Sequence, residues 1–333
     1  MILVQNYGLA IFLCAVAMVC WGSWQNTQNL IGKSWRFELY YWDFSIGILL
    51  FALLMAFTFG SIGNEGRSFI PDLKQADPKN LMSAALGGVI WNMGTLLLVA
   101  AISIAGMSVA FPIGGGIGWV LGIYINYLGK PEGNPVMLFG GTGFIILAII
   151  MSMQSYRQMA AGQKKTTFKG IFLSFLAGLC IAFFYRFVAS AMATDFTPEE
   201  AGKISSYTAV VFFSIGALIC TAIVNPFFMA RPVEGVPVKM SQWTGAPGRT
   251  HFLGMLGGAI WCLGNSVSFM SVGAASPAIS YGLSNSAPVV AAIWGIFIWK
   301  EFHGAPKRVN LLLTLMFVFY FIGLTLIIYS RIS

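Results

Sequence analysis

The chain has 333 residues, of which 57% are hydrophobic and only 9% are charged, and its formal net charge is +8. Soluble domains carry about 25% charged residues, so this composition excludes a soluble globular protein and predicts an integral membrane protein. The positive charge does not indicate a nucleic-acid partner, because the basic residues fall mainly in short connections between hydrophobic runs, where membrane topology places them.

Ten hydrophobic runs, each near the ~20 residues that cross a bilayer, follow one another along the chain. They predict an all-α integral membrane fold with ten transmembrane helices, and the connections are too short to hold a soluble domain. The five cysteines all lie inside these runs, so we expect packing residues, with no metal site and no cofactor. The predicted spans are 7–28, 41–60, 81–103, 106–127, 136–154, 169–192, 205–228, 252–273, 276–298 and 309–329.

The first run ends in the polar stretch CWGSWQNTQNL, residues 20–30. It has neither the basic start nor the cleavage site of a signal peptide, so we expect it to remain as the first helix. Trp21, Trp24, Gln25 and Gln28 are spaced as i, i+3, i+4 and i+7 and therefore share one helix face. Indoles beside amides suit an uncharged polar solute, and an aromatic belt at the membrane surface is the alternative explanation.

Arg186 is the one charged residue clearly within a predicted span, and two acidic residues near the second span are its candidate partners. Glu38 precedes the second span, Asp43 lies at its start, and Arg186 lies within the sixth. A charge inside a bilayer is costly unless it is paired or hydrated. We therefore expect Asp43 or Glu38 to carry a coupling proton and Arg186 to pair with Asp43 in one conformation. The alternatives are a helix-start charge for Asp43 and an Arg186 that reaches the interface.

An internal repeat organises the chain. LGGVIWNMG at residues 86–94 returns as LGGAIWCLG at 256–264, an offset of 170 residues at which Thr95 meets Asn265 and Phe111 meets Tyr281. We predict two five-helix repeats, residues 1–160 and 161–333. Five helices cross the membrane an odd number of times, so the second repeat is inverted, as in many transporters. A duplicated bundle without transport is the alternative.

Aromatic and polar residues share faces of the predicted helices. Trp91 lies on one face with Thr95, and Trp261 lies on one face with Asn265. Such faces would bind an uncharged polar solute by stacking and by amide hydrogen bonds, whereas hydrogen bonding between helices is the alternative for the asparagines. The predicted substrate-binding residues are Trp21, Gln25, Trp91, Asn92, Trp261, Asn265, Tyr281 and Asn285.

Enzyme and channel functions fit the sequence poorly. The two histidines, His251 and His303, lie at loop edges, and no catalytic or phosphate-binding motif is present. No charged ring or repeated carbonyl filter indicates a channel. We predict a carrier that is not an enzyme.

Lysine and arginine are distributed unequally between the two sides of the membrane. By the positive-inside rule the more basic loops, which follow the odd-numbered helices, are cytoplasmic, and both termini lie outside. Twelve basic residues lie on that side, namely Lys33, Arg36, Arg157, Lys164, Lys165, Lys169, Arg231, Lys239, Arg249, Lys300, Lys307 and Arg308, against six on the other, namely Arg67, Lys74, Lys79, Lys130, Lys203 and Arg331.

Two repeats with GG-x-x-W-N/C-x-G in the third helix of each half, and a Lys/Glu-bearing end to the fourth (GKPE, WKEF), resemble the drug/metabolite transporter superfamily. WGSWQNTQ and WNMGTLLLVAAISIAGMSVAFPIGGGIGWVLG resemble its sugar-porter branch, the glucose/ribose and rhamnose uptake proteins, and the related plant ureide permeases. The resemblance implies alternating-access uptake of a neutral polar metabolite, commonly with protons, in the cytoplasmic (inner) membrane. We expect a monosaccharide; a ureide or nucleobase permease and a non-transporting scaffold are the alternatives.

Overall fold

The computed structural model describes residues 1–32, 35–159, 168–196, 200–233 and 235–332, and only the backbone of Met107, Ser108, Phe111 and Pro112. Within these ranges the chain is helical and forms no strand, only an isolated bridge between Met192 and Ile204. The helices are α1 (Tyr7–Ser23), α2 (Asn26–Ile31), α3 (Phe37–Phe57), α4 (Phe69–Gln75), α5 (Pro78–Ala105), α6 (Met107–Gly129), α7 (Pro135–Met159), α8 (Phe168–Ala191), α9 (Ser206–Ala230), α10 (Met240–Thr244), α11 (Gly248–Met270), α12 (Val272–Ala275), α13 (Pro277–Ser284), α14 (Pro288–Ile293) and α15 (Lys307–Tyr329).

The predicted fold class, an all-α integral membrane protein, is confirmed. Nine helical segments of the described chain are long and apolar enough to cross a bilayer. They match nine of the predicted spans; the remaining one, 106–127, coincides with α6, for which several side chains lie outside the description. A total of ten stays a prediction.

Helices of the two predicted repeats pack mainly against each other. Helix α5 lies against α8 and α9, and α11 lies against α1 and α3. Helix α7 of the first repeat likewise pairs with α15 of the second. The predicted units 1–160 and 161–333 therefore interleave in one bundle. Their boundary falls between residues 160 and 161, outside the described residues, and the division stays a prediction.

Close helix contacts occur at matching positions of the repeated motif. Gly88 of α5 faces the carbonyl oxygen of Phe213, and Gly258 of α11 faces the carbonyl oxygen of Phe44. A Cβ at either glycine would overlap the facing oxygen, so only glycine permits this approach. The equivalence of the two contacts supports the predicted inverted repeat.

Two membrane segments are interrupted. The first breaks at Trp24 and Gln25, between α1 and α2. The segment Pro277–Ile298 breaks at residues 285–287, just before Pro288, and ends in a π-helical turn over Trp294–Ile298. Proline lacks an N–H and crowds the preceding turn, which explains the second break.

The bundle has two ends, here called the terminal face and the opposite face. At the terminal face the Tyr7 hydroxyl donates to the carbonyl oxygen of Ile328, and Asp77 N–H donates to that of Gly202. At the opposite face Trp299 Nε1 donates to Asn26 Oδ1 at 2.7 Å.

Candidate functional site

An aromatic cluster occupies the middle of the bundle. The ring centroids of Trp91 and Trp261 are 4.0 Å apart, and Trp261 also stacks on Trp21 at 5.8 Å and on Phe213 at 5.7 Å. Trp21 Nε1 donates to the carbonyl oxygen of Trp261 at 3.1 Å. Helices α1, α5, α9 and α11 therefore bring three of the predicted site residues into contact.

Asn265 lies one turn after Trp261 on α11 and is fully buried. Neither its Oδ1 nor its Nδ2 has a hydrogen-bond partner within the described part of the chain. A buried polar group without a partner costs about 1–3 kcal/mol, so such groups normally have a protein, water or ligand partner. The amide thus has both a donor and an acceptor unused within the described residues.

Asn92, in contrast, is engaged in the packing of the helices. The Tyr41 hydroxyl donates to Asn92 Oδ1 at 2.6 Å, and Asn92 Nδ2 donates to Thr221 Oγ1 at 3.2 Å. These bonds join α5 to α3 and α9 in a fully buried environment. The geometry favours the alternative weighed for this asparagine, hydrogen bonding between helices.

Tyr281 and Asn285 also make internal hydrogen bonds. The Tyr281 hydroxyl is within hydrogen-bond distance of two carbonyl oxygens, those of Gly118 at 2.8 Å and Ile181 at 3.0 Å. Asn285 Nδ2 donates to the carbonyl oxygen of Tyr281 at 3.0 Å, at the break before Pro288. In this conformation both residues hold the interrupted segment Pro277–Ile298 in place.

Gln25 lies at the other break, between α1 and α2, and its side chain is exposed at the opposite face. Its neighbour Trp24 is 8% exposed and packs against Phe44, with the ring centroids 4.5 Å apart. Thr27 and Tyr40 share a hydrogen bond of 2.7 Å. The polar stretch therefore forms a short helix anchored on α3, with Gln25 away from the aromatic cluster.

Asp43 is 2% exposed and binds two partners from the second half of the chain. Its Oδ1 accepts from Trp243 Nε1 at 3.0 Å and lies 2.8 Å from His251 Nδ1, whereas its Oδ2 is buried without a partner among the described residues. Asp43 thereby connects α3 to α10 and α11. A buried carboxylate against an imidazole is a group that can exchange a proton.

The expected pairing of Arg186 with Asp43 is absent from this conformation. Arg186 packs its guanidinium against Gly129 near the terminal face, whereas Asp43 lies near the opposite face with His251. Because α3 and α8 both run from the opposite face to the terminal face, residue 43 of one and residue 186 of the other lie at opposite ends. Glu38 is ion-paired with Arg36.

Sequence reasoning missed a cluster of buried hydroxyls. The Tyr185 hydroxyl lies 3.0 Å from Ser268 Oγ and 2.9 Å from Ser280 Oγ, and Cys14 Sγ lies 3.7 Å from Ser280 Oγ. Ser284, one turn after Ser280, is buried and its Oγ has no partner in the described ranges. Serines at intervals of four along residues 276–284 were the available signal.

The comparisons with known proteins agree on one family. A family model described as "Ureide permease" matches residues 40–167 and 152–330. Ureide permease 2 of Arabidopsis thaliana is 26% identical, with 97% of both chains covered. Probable ureide permease A3 of Vigna unguiculata is 24% identical over 92% of this chain and 99% of the relative.

Two further likenesses concern a bacterial relative and a solved structure. A putative sugar uptake protein of Enterococcus faecalis is 24% identical over 88% of this chain and 90% of the relative. A protein of known crystal structure shares the fold, with a TM-score of 0.60, 12% identity and coverage of 94% of this chain and 97% of that one. The expected relation to the ureide permeases is thus confirmed, whereas the expected sugar-porter branch is not.

Proposed function

The chain belongs to the ureide permease family, and on that premise we propose that it carries a ureide or a nucleobase across the membrane. Membership of this family makes it a membrane transporter of small metabolites. The expectation of a monosaccharide is set aside as the principal substrate, because the family model and most of the named relatives favour the alternative. The identity of the solute, the coupling of transport to protons and the orientation of the chain in the membrane are all part of what we propose.

The observation that carries the proposal is the buried, unpartnered amide of Asn265 beside the aromatic cluster. Nucleobases such as uracil and the hydantoin ring of allantoin are nearly planar and uncharged, and their edges present N–H donors beside carbonyl acceptors. An asparagine amide offers the matching acceptor and donor, and an indole face stacks on a planar ring. Asn265 and Trp261 would therefore bind the two kinds of surface that such a solute presents.

Transport would follow from the repeat. Matching positions meet at the centre of the bundle, where Trp91 lies against Trp261. Two inverted units can rock around such a centre and expose it to one face at a time. Substrate bound at Asn265 would be released when the aromatic cluster separates.

We propose Asp43 as the proton-coupling residue, with His251 as its partner in place of Arg186. The carboxylate is buried at the opposite face, and one oxygen contacts the imidazole while the other has no partner in the described ranges. Protonation of the Asp43 carboxylate would weaken its contact with His251, which joins α3 to α11. Proton uptake would thereby be linked to movement of these helices. The positive-inside distribution supports placing this face in the cytoplasm. The cytoplasmic (inner) membrane is the location that the family resemblance implies.

A monosaccharide is the second candidate solute. Its support is the relative named as a putative sugar uptake protein and the buried hydroxyl cluster around Tyr185. Hydroxyls both donate and accept and so can exchange partners with the hydroxyls of a sugar.

Uptake by purified protein in proteoliposomes tests the proposal. Labelled allantoin, uracil, glucose and ribose would be compared with and without an inward proton gradient. We expect saturable uptake of allantoin or uracil that the gradient increases and that Asn265→Ala lowers at least tenfold. Uptake of sugars alone would replace the principal substrate, and no uptake of any probe would overturn the transport proposal.

A further inference from the structure

A cavity of ≈ 310 Å³ opens near the opposite face, away from the aromatic cluster. This volume lies in the range of small-molecule sites, which is about 300–1,000 Å³. The start of α3, the second half of α5 and the end of α9 form its walls. They include Arg36, Phe37, Glu38, Ser103, Asn225 and Phe228.

A second, much smaller cavity of ≈ 30 Å³ lies at the terminal face. Four of its lining residues are Ser206, Phe269, Met270 and Gly273, and each follows a residue of the larger cavity by the 170 residues that separate the repeated motifs. Their counterparts are Arg36, Val99, Ala100 and Ser103. The two cavities thus occupy equivalent places in the inverted repeats.

The difference in volume comes from what fills each place. Leu3, Val4, Thr194 and Phe196 line the smaller cavity. The first of these segments is held by Ile2, whose N–H donates to the Phe59 carbonyl oxygen at 3.0 Å and whose carbonyl oxygen accepts from the Tyr207 hydroxyl at 3.0 Å. The same helical frame can therefore be packed shut, so the larger cavity is not a necessary gap in the fold.

Asn225, one of the residues that line the larger cavity, carries an unused hydrogen-bond acceptor. Asn225 is fully buried, and its Nδ2 donates to the carbonyl oxygen of Glu38 at 2.8 Å, which sets the orientation of the amide. Its Oδ1 has no partner among the described residues. Phe37 and Phe228 add aromatic surface. An acceptor beside aromatic rings suits a planar solute that carries N–H groups.

We propose that this cavity is a second solute-binding site, in which Asn225 Oδ1 accepts an N–H of a ureide or nucleobase. The inference rests on the proposed function for the class of solute and adds a site separate from Asn265. The solute occupies it on the side of the membrane to which the opposite face is open. The equivalent place at the terminal face is closed by Leu3 and Val4.

A matched pair of cysteine variants tests the site. Ser103→Cys places a thiol in the larger cavity and Gly273→Cys places one at the equivalent position of the smaller cavity, where a Cβ meets only ordinary contacts. The purified proteins would be treated with a small methanethiosulfonate reagent, with and without allantoin, uracil or glucose. The unsubstituted chain gives the background from its five cysteines.

We expect Ser103→Cys to react at least tenfold faster than Gly273→Cys, and allantoin or uracil to slow its reaction several-fold. Adding Asn225→Leu removes this protection. Because that change could also disturb the fold, a second variant, Val233→Trp, fills the cavity from its exposed rim. Val233→Trp should slow the labelling of Ser103→Cys even without solute, and added solute should then slow it no further.

Equal labelling of Ser103→Cys with and without every probe overturns the second site. Uptake measured on the same preparation separates the two proposals. Uptake without protection leaves the transport proposal standing and rejects the second site. Protection that persists in both Asn225→Leu and Val233→Trp also rejects it, because the solute would then act from elsewhere.

Discussion

The indole rings of Trp91 and Trp261, which occupy the same position of the two repeated motifs, lie with their centroids 4.0 Å apart at the centre of the bundle. Two sequence copies therefore converge on one contact between α5 and α11. Movement of one half relative to the other would have to change this contact.

The contact between Trp91 and Trp261 should be measurable as an energetic coupling. A double-mutant cycle with Trp91→Leu and Trp261→Leu is expected to give a coupling of about 0.5–1.5 kcal/mol, typical of aromatic pairs. Thermal or denaturant unfolding in detergent provides the free energies. Trp243→Leu combined with Trp91→Leu is the control, since Trp243 binds Asp43 at the opposite face and should be additive. Additivity in the central pair would contradict the prediction.

Asn265 and Asn92 should respond differently to removal of the amide. Asn265→Ala is expected to lower uptake at least tenfold with little loss of stability, because no internal hydrogen bond of the described chain is broken. Asn92→Ala should destabilise the protein by roughly 1 kcal/mol, because it breaks bonds to Tyr41 and Thr221. Paired uptake and melting measurements check this, and equal effects of the two variants on both quantities would refute it.

Asp43→Asn should abolish the response to a proton gradient. The amide cannot bind and release a proton, although its oxygen can still accept from Trp243. We expect uptake to persist down a solute gradient and proton-driven accumulation to disappear. Asp77→Asn, a change of an exposed helix-capping residue at the terminal face, is the control. Full proton-driven accumulation by Asp43→Asn would exclude this residue from coupling.

Gly88 and Gly258 should tolerate no larger side chain. Gly88→Ala and Gly258→Ala place a methyl group against a backbone oxygen, and overpacking of this kind costs about 1–3 kcal/mol or more. We expect lower yields and lower melting temperatures for both variants. Gly140→Ala, where no atom outside the adjoining turns of its own helix lies within 4 Å of the added Cβ, should be neutral or stabilising. A loss in the control as large as in the test variants would contradict the close contact.

Glu200 should make the segment at residues 194–196 sensitive to acid. Burial raises the pKa of this carboxyl, but N–H groups of Thr194, Asp195 and Phe196 and the Thr194 hydroxyl together hold the pKa below its ordinary value. A lowered pKa stabilises the folded segment above the ordinary glutamate value, about 4.3, and this stabilisation is lost as the pH falls through the folded pKa.

Amide hydrogen exchange of this segment between pH 6 and pH 3, corrected for intrinsic exchange rates, measures the effect. We expect protection to fall with pH in the unsubstituted chain and to be low and nearly constant in Glu200→Gln. Parallel pH profiles in the two proteins would contradict the role of the carboxylate.

Particular residues show how far the sequence could lead towards the site. Trp21, Trp91 and Trp261 were predicted from shared helix faces and lie together. The sequence does not distinguish Asn92 from Asn265; only the neighbours in the fold show that the first amide is hydrogen-bonded and the second has no partner in the described ranges. The sequence places His251 at a loop edge, and only the fold brings it to Asp43, 208 positions away.

Composition and hydrophobic periodicity by themselves determined the fold class, because a chain in lipid must satisfy its backbone polar groups internally and helices do so within each segment. The repeated motif likewise predicted which helices correspond. The tertiary structure alone decided which polar groups find partners, why Asp43 meets His251 and not Arg186, and which of two equivalent cavities is filled. Those outcomes depend on contacts between residues far apart in the chain, which local sequence patterns do not specify.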